Sequence, residues 1–249
     1  MKTILVTGAT GFIGKNLITK LKEDRDITIL APGRETSEEE LRSQLIASDC
    51  IFHLAGVSRP QDPKEFYEGN TDYTKKIVTL LLSEGKTIPI LYTSSVHATM
   101  DNDFGSSKRE AEELLQQYNK KTGAPLYIVR LTNTFGRWAR PNAHSVVATF
   151  CYNIAHDLEV TVSDPSKVVP LAYIDDVIES FISLILQGKV NDNITLGNDG
   201  LYTVIKIYPK TLREITQLLY RFKNENSIGS QTNDEFTQKL FSTYESYKP

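Results

Sequence analysis

Eight residues near the start, Thr7-Gly8-Ala9-Thr10-Gly11-Phe12-Ile13-Gly14, constrain this chain more than any other stretch. They follow the apolar run Ile4-Leu5-Val6 and precede a helical pattern from Asn16 to Lys22. A short β-branched strand, a glycine-punctuated turn and a helix are the opening of a nucleotide-binding βαβ unit. Gly8 permits the tight turn, Gly11 lets the backbone approach a pyrophosphate, and Gly14 lets the helix lie close to the strand. Free N–H groups at the helix start then face the phosphates, with Thr10, Phe12 and Ile13 completing the loop. The plain alternative is a strand-to-helix turn that binds nothing.

The remaining chain supports the larger unit. Ile27-Thr28-Ile29-Leu30 reads as a second strand, Glu38 to Ser48 as a helix, and Cys50-Ile51-Phe52-His53-Leu54 as a third strand closed by Ala55-Gly56. A helix over Thr71 to Leu82 leads into the strand Pro89 to Tyr92, which ends in Thr93-Ser94-Ser95. The helical segment Ser106 to Lys121 stops at Gly123, and Leu126 to Val129 forms a further strand. This alternation predicts an α/β fold, a doubly wound and mainly parallel Rossmann sheet with a small C-terminal substrate-binding lobe. The expected division is 1–133 for the nucleotide-binding domain and 134–249 for the substrate-binding region, some of whose elements return to the sheet.

At the end of the second strand, NAD sites tend to carry an acid for the ribose hydroxyl and NADP sites an Arg for the 2′-phosphate. Here the sequence is Ala31-Pro32-Gly33-Arg34. NADP(H) is therefore expected, clamped by Arg34, against the alternative of an arginine on a solvated loop. Asp49 either meets the adenine or caps its own loop. The hydroxyls of Ser94 and Ser95 either point into the crevice or face water. Beyond Arg130 the rhythm loosens into Asn133, Phe135-Gly136-Arg137-Trp138 and Arg140-Pro141-Asn142, then a helix-like Ser145 to Ile154. Arginine forks suit diphosphates and aromatic faces suit sugars or bases, although an ordinary loop with surface arginines reads the same way. Tyr173-Ile174-Asp175-Asp176-Val177 opens an amphipathic helix to Leu186, Leu212 to Phe222 forms another, and Lys223 to Asp234 reads as a polar, mobile tail.

Composition removes several classes. The net charge of −3 offers nucleic acid or an anionic membrane no electrostatic attraction. The two cysteines, Cys50 and Cys151, sit among apolar residues and read as core residues of a cytoplasmic protein. The four histidines lack ligand spacing, so no metal is expected.

These motifs together resemble the extended short-chain dehydrogenase/reductase family of nucleotide-sugar epimerases, dehydratases and reductases. The resemblance rests on the TGATGFIG loop, His53-Leu54-Ala55-Gly56, Asn70-Thr71, Thr93-Ser94-Ser95, Lys108, Arg130 to Gly136 and Tyr173 to Val177. Leu54 to Pro60, Phe135 to Asn142 and Ser145 to Tyr152 narrow it to bacterial capsular-polysaccharide reductases. That branch implies NADPH-dependent reduction of a UDP-linked 4-keto-6-deoxy-N-acetylhexosamine, on the way to UDP-N-acetyl-L-fucosamine. It also implies a zinc-binding cupin domain after the reductase part, so the epimerase activity of that domain is expected to be absent from these 249 residues.

Family chemistry implies a Tyr and a Lys at i and i+4 with a Ser on the neighbouring strand end. The Ser falls at Ser95, with Ser94 as fallback, and the Lys at Lys108. Phe104 occupies the Tyr position, so the proton donor is missing and turnover is expected to be impaired. Cofactor contacts map to Gly8, Thr10, Gly11, Phe12, Ile13, Gly14, Arg34, Leu54, Ala55, Gly56, Asn70 and Lys108. Substrate contacts map to Ser94, Ser95, Asn133, Arg137 and Arg140. The resemblance further implies a homodimer through the Thr71–Leu82 and Ser106–Lys121 helices, each offering a second apolar stripe (Ile77, Leu80, Leu81; Leu114, Leu115, Tyr118). An epimerase or dehydratase, or a non-catalytic NADP-binding sensor, remain the alternatives.

Overall fold

The computed structural model describes residues 1–143, 145–225 and 232–249. Two compact units emerge: 1–131 with 178–205, and 132–177 with 206–249.

The first unit is built on a seven-stranded sheet ordered β2-β1-β3-β4-β5-β9-β8. Its strands are β1 (Lys2–Thr7), β2 (Ile27–Leu30), β3 (Cys50–His53), β4 (Ile90–Ser95), β5 (Leu126–Leu131), β8 (Ile194–Leu196) and β9 (Tyr202–Val204). Every pairing from β2 through β9 is parallel, and β8 closes the edge antiparallel to β9. The doubly wound parallel sheet expected from the sequence is therefore present. The chain reverses its direction of winding between β1 and β3, so the crevice for a ligand opens at the carboxyl ends of those two strands.

Helices α1 (Phe12–Leu21), α2 (Glu38–Ala47), α4 (Tyr73–Ser83) and α5 (Asp103–Thr122), with a short helical turn α3 (Lys64–Phe66), connect these strands. Apolar spacing puts Leu41, Leu45, Ile77, Leu80, Leu81, Ala111, Leu115 and Tyr118 in one core with Leu5, Ile51, Ile90, Tyr92 and Ile128. This assigns five of the six residues of the expected dimer stripe, Ile77, Leu80, Leu81, Leu115 and Tyr118, to the interior of the unit. The reason is geometric: both helices cover the parallel sheet, and a stripe at i, i+3, i+4 is what that packing consumes.

Two local features differ from the sequence expectation. The helix placed at Thr71 starts regular turns only at Tyr73, after a π-helical stretch Tyr67–Asp72. Asp49 follows neither of its readings as stated: its Oδ2 accepts the Thr3 N–H at 2.6 Å, which ties it to β1 rather than to its own loop.

The second unit holds a three-stranded sheet ordered β10-β7-β6, from β6 (Asn133–Phe135), β7 (Val168–Tyr173) and β10 (Tyr208–Thr211). Helices α6 (Val146–Ala155), α8 (Leu212–Asn224) and α9 (Glu235–Glu245) pack in this unit around Phe135, Phe150, Cys151, Phe222, Phe236 and Tyr244. A Thr211/Glu214 capping box starts α8, which continues past Phe222 to Asn224, so Lys223 and Asn224 of the expected tail are helical. Residues 226–231 of the expected mobile tail lie outside the described residues. Helix α7 (Ile174–Gln187) begins with the Asp175-Asp176 pair. Asp176 is buried and receives Lys239 Nζ at 2.5 Å; that ammonium also reaches Tyr208 and Glu235. Such a pair is costly to break because each charge left alone would stay desolvated.

Burial raises both thiols, Cys50 to about 11 and Cys151 further, so both are inert core groups at neutral pH. Among the described residues no helix is long and apolar enough to cross a membrane, and no cluster of His, Cys, Asp and Glu has a metal-binding arrangement.

Candidate active site

The glycine loop joins β1 to α1. Gly8 has φ 68° and lies against the loop after β3: a Cβ there would meet Ala55 N at 2.7 Å and Leu54 C at 2.8 Å. A Cβ on Gly14 would collide with the Gly8 carbonyl and with Ala9. Gly11 N donates to Gly8 O at 2.9 Å, closing the turn. Gly11 is also the N-cap of α1, no side chain caps the helix, and its first turn carries no acid. Thr10 and Gly11 are exposed and Phe12 and Ile13 half-buried, so the α1 start combines first-turn amides with room for an anion. This donor set fits a dinucleotide diphosphate.

Behind the loop runs a directional hydrogen-bond chain. Ala55 N donates to Thr7 Oγ1 at 3.1 Å, and Thr7 Oγ1 lies 2.8 Å from His53 Nδ1. On the other side His53 Nε2 is 2.8 Å from Thr74 Oγ1, which donates its only hydrogen to Asn70 O at 2.6 Å. Thr74 must therefore accept from His53, which places the imidazole proton on Nε2 and makes Thr7 the donor to Nδ1. Complete burial, with nearby Lys108 adding to it, pulls the His53 pKa down to about 3, so the ring stays neutral.

Asn70, buried in the π-helical stretch, accepts from Val57 N at 2.9 Å and donates to Val57 O and Ser107 Oγ, both at 3.0 Å. Its amide is thus spent on holding the Leu54-Ala55-Gly56 loop in place. A π-turn within a helix commonly marks a functional position, and here it delivers Asn70 to Val57.

Lys108 lies one turn after Phe104 on α5, and its side chain is buried. Its Nζ donates to Tyr92 Oη at 3.2 Å and to Thr93 O at 3.1 Å, and sits 4.9 Å from the Tyr92 ring centroid. A Cβ on Gly56 would approach Lys108 Nζ to 3.0 Å, so glycine there leaves the amine its space. Burial lowers the Lys108 pKa to about 8, partly offset by Glu112. Phe104 is half-buried, its ring 5.6 Å from that of Phe66. Asn102 caps α5 through Gly105 N, and Arg109 donates to the carbonyls of Ala98 (2.6 Å) and Met100 (2.7 Å), which fixes the turn leading to Phe104.

The two serines separate. Ser94 is buried and donates to Glu112 Oε1 at 2.5 Å, and Glu112 is held bidentately by Arg130 at 3.0 and 2.7 Å. Ser95 is half-exposed, and its Oγ accepts from His97 N at 3.1 Å. Its own hydrogen has no acceptor among the described residues, which makes Ser95, rather than Ser94, the hydroxyl available to a ligand.

Arg34 is exposed after β2, next to a turn closed by Gly33 N donating to Thr36 Oγ1 at 2.9 Å. In the second unit, Asn133 and Arg140 are exposed, and Arg137 lies 3.9 Å from Asp175 with its guanidinium 4.8 Å from the Trp138 ring centroid. Sequence reading missed Tyr92, whose hydroxyl receives the lysine, because in an apolar strand run a tyrosine looks like core. It also missed the paired role of Thr7 and Thr74.

A family model described as the NAD dependent epimerase/dehydratase family matches residues 4–197. A UDP-2-acetamido-2,6-beta-L-arabino-hexul-4-ose reductase of Pseudomonas aeruginosa is 40% identical over 248 residues, which are 99% of this chain and 65% of that relative. The crystal structure of capsular polysaccharide assembling protein CapF from Staphylococcus aureus is similar at a TM-score of 0.84 and 41% identity, over 99% of this chain and 66% of that one. RMD from Pseudomonas aeruginosa, complexed with NADPH, shares the fold at a TM-score of 0.81 and 19% identity, covering 100% of this chain and 98% of its own. This chain thus spans somewhat less than two thirds of the length of the first two proteins. By the family match, and by the glycine loop and parallel sheet that carry it, the chain belongs to the NAD dependent epimerase/dehydratase family.

Proposed function

We propose that this chain binds NADP(H) and reduces the 4-keto group of a UDP-linked 4-keto-6-deoxy-N-acetylhexosamine, at a rate limited by Phe104. The observation that carries this reading is the Lys108 amine, buried one helical turn after Phe104 and bonded to Tyr92 beneath the Gly56 loop. The 40% identity to a UDP-hexulose reductase supports the substrate class.

When bound, NADPH supplies the hydride for the ketone carbon. The α1 amides hold its diphosphate, Arg34 its 2′-phosphate, and Lys108 the nicotinamide ribose. Ser95 offers its hydroxyl hydrogen to the ketone oxygen as charge develops there. Arg137 and Arg140 bind the substrate diphosphate and Asn133 orients the sugar. Phe104 keeps the shape of the missing tyrosine without its hydroxyl, so no positioned phenol gives up a proton and water must supply it slowly. The phenylalanine equally favours a second reading, a cofactor-binding protein without turnover.

Mass analysis of the sugar after incubation with NADPH separates the two. A UDP-sugar heavier by two hydrogens, formed in step with NADPH consumption, supports the reductase. NADPH binding with no product from either this chain or Phe104→Tyr supports the sensor.

A further inference from the structure

Trp138 is the one tryptophan of the chain, and it holds a backbone conformation that bulky residues rarely adopt, with φ 69°. Asn142, four residues later, has φ 57°. The loop is fixed from several sides. Gly136 has φ 148°, and the Ile174 side chain fills the place a Cβ would need. The buried hydroxyl of Tyr247 donates its one hydrogen to Ala139 O at 2.5 Å and so anchors the end of the Gly136-Arg137-Trp138-Ala139 turn. Asn142 N donates to Thr149 Oγ1 at 2.9 Å.

This framework keeps an indole at the surface. Trp138 is 43% exposed although an apolar core built from Phe135, Phe150 and Phe236 lies in the same unit. Strain retained at an exposed aromatic residue points to a ligand rather than to packing. The Arg137 guanidinium lies over one face of the ring, 4.8 Å from its centroid, and Arg140 is exposed two residues further on, so the exposed part of the indole stands beside two cations. That combination suits a flat base joined to an anionic diphosphate.

We infer that Trp138 is the nucleobase platform, the uracil of the nucleotide sugar stacking on its indole, and that Tyr247 is the positioning residue that holds this platform in place. The inference rests on the nucleotide-sugar reading above.

The single tryptophan makes the test direct. UDP is titrated into the full chain while tryptophan emission and heat are recorded, with inorganic pyrophosphate as the probe lacking a base. Saturable quenching by UDP at the calorimetric Kd, with little response to pyrophosphate, is expected. Trp138→Ala should weaken UDP binding roughly 5- to 150-fold, as loss of one base stack does, and Trp138→Phe should recover most of it. Tyr247→Phe should shift the ligand-free emission maximum and weaken UDP while leaving NADPH affinity unchanged. Heat from UDP without an emission change, equal quenching by pyrophosphate, or unaltered affinity in Trp138→Ala overturns the platform alone. Absence of UDP binding in a chain that binds NADPH overturns the nucleotide-sugar reading with it.

Discussion

Lys108 Nζ donates to the hydroxyl of Tyr92 at 3.2 Å, inside the first unit and one helical turn from Phe104. The pair explains how an amine can stay buried: Tyr92 and the Thr93 carbonyl replace two water partners, while burial pulls the amine down to about 8 from the ordinary 10.5. Between these values the unfolded chain holds a proton that the folded chain has released. Stability should therefore rise as pH goes from about 8 toward 10.5, with no slope from this group below 8. Denaturant unfolding across that range should show the rise, and Lys108→Met should remove it.

His53 gives the opposite end of the pH scale. Its neutral ring links Thr7 to Thr74, and its pKa lies at about 3 against 6.5 when unfolded. Below pH 6.5 the unfolded chain takes up a proton that the folded chain refuses, so stability is full above 6.5 and declines toward pH 3. Thermal melts between pH 7 and 4 should show a smaller decline in His53→Gln than in the parent.

Arg34 is exposed after β2, and in the proposed function it holds the 2′-phosphate of NADPH. Arg34→Ala should weaken NADPH by about 1.5–3 kcal/mol, the value of a hydrogen bond to a charged group, and leave NADH nearly unchanged. Paired titrations at fixed salt measure the ratio, and equal losses for both cofactors would remove the assignment.

Leu115 is fully buried in the core of the first unit rather than on an outer helix stripe. Leu115→Ala should cost about 2–5 kcal/mol of stability through cavity formation. Light scattering on the still-folded variant should give the same mass as the parent, whereas a drop to half the mass would return this residue to an interface.

The parts of the site that could be read from sequence are those where one residue type is physically required. Gly8 must have positive φ and Gly14 must admit a carbonyl, so the loop announces itself and the β1–β3 reversal follows. Lys108 and Phe104 share a face by helical spacing alone. The remainder depends on packing. Tyr92 differs from a core tyrosine only in what approaches its hydroxyl. Asn70 reaches Val57 because a π-turn shifts its register, which no periodicity predicts. Strands β6, β8 and β9 have three residues each, too short for alternation to register, and the Lys223–Asp234 stretch obscured the helix at Glu235–Glu245 that supplies Lys239 to Asp176.

On the proposed reading, Phe104 removes the proton donor from an otherwise complete reductase site. Single-turnover NADPH oxidation, with saturating UDP-4-keto-6-deoxy-N-acetylhexosamine, tests it by comparing the parent with Phe104→Tyr. Equal NADPH affinity is expected, with a rate increase of roughly a hundred- to ten-thousand-fold in the tyrosine variant. A parent that is already as fast as Phe104→Tyr would contradict it.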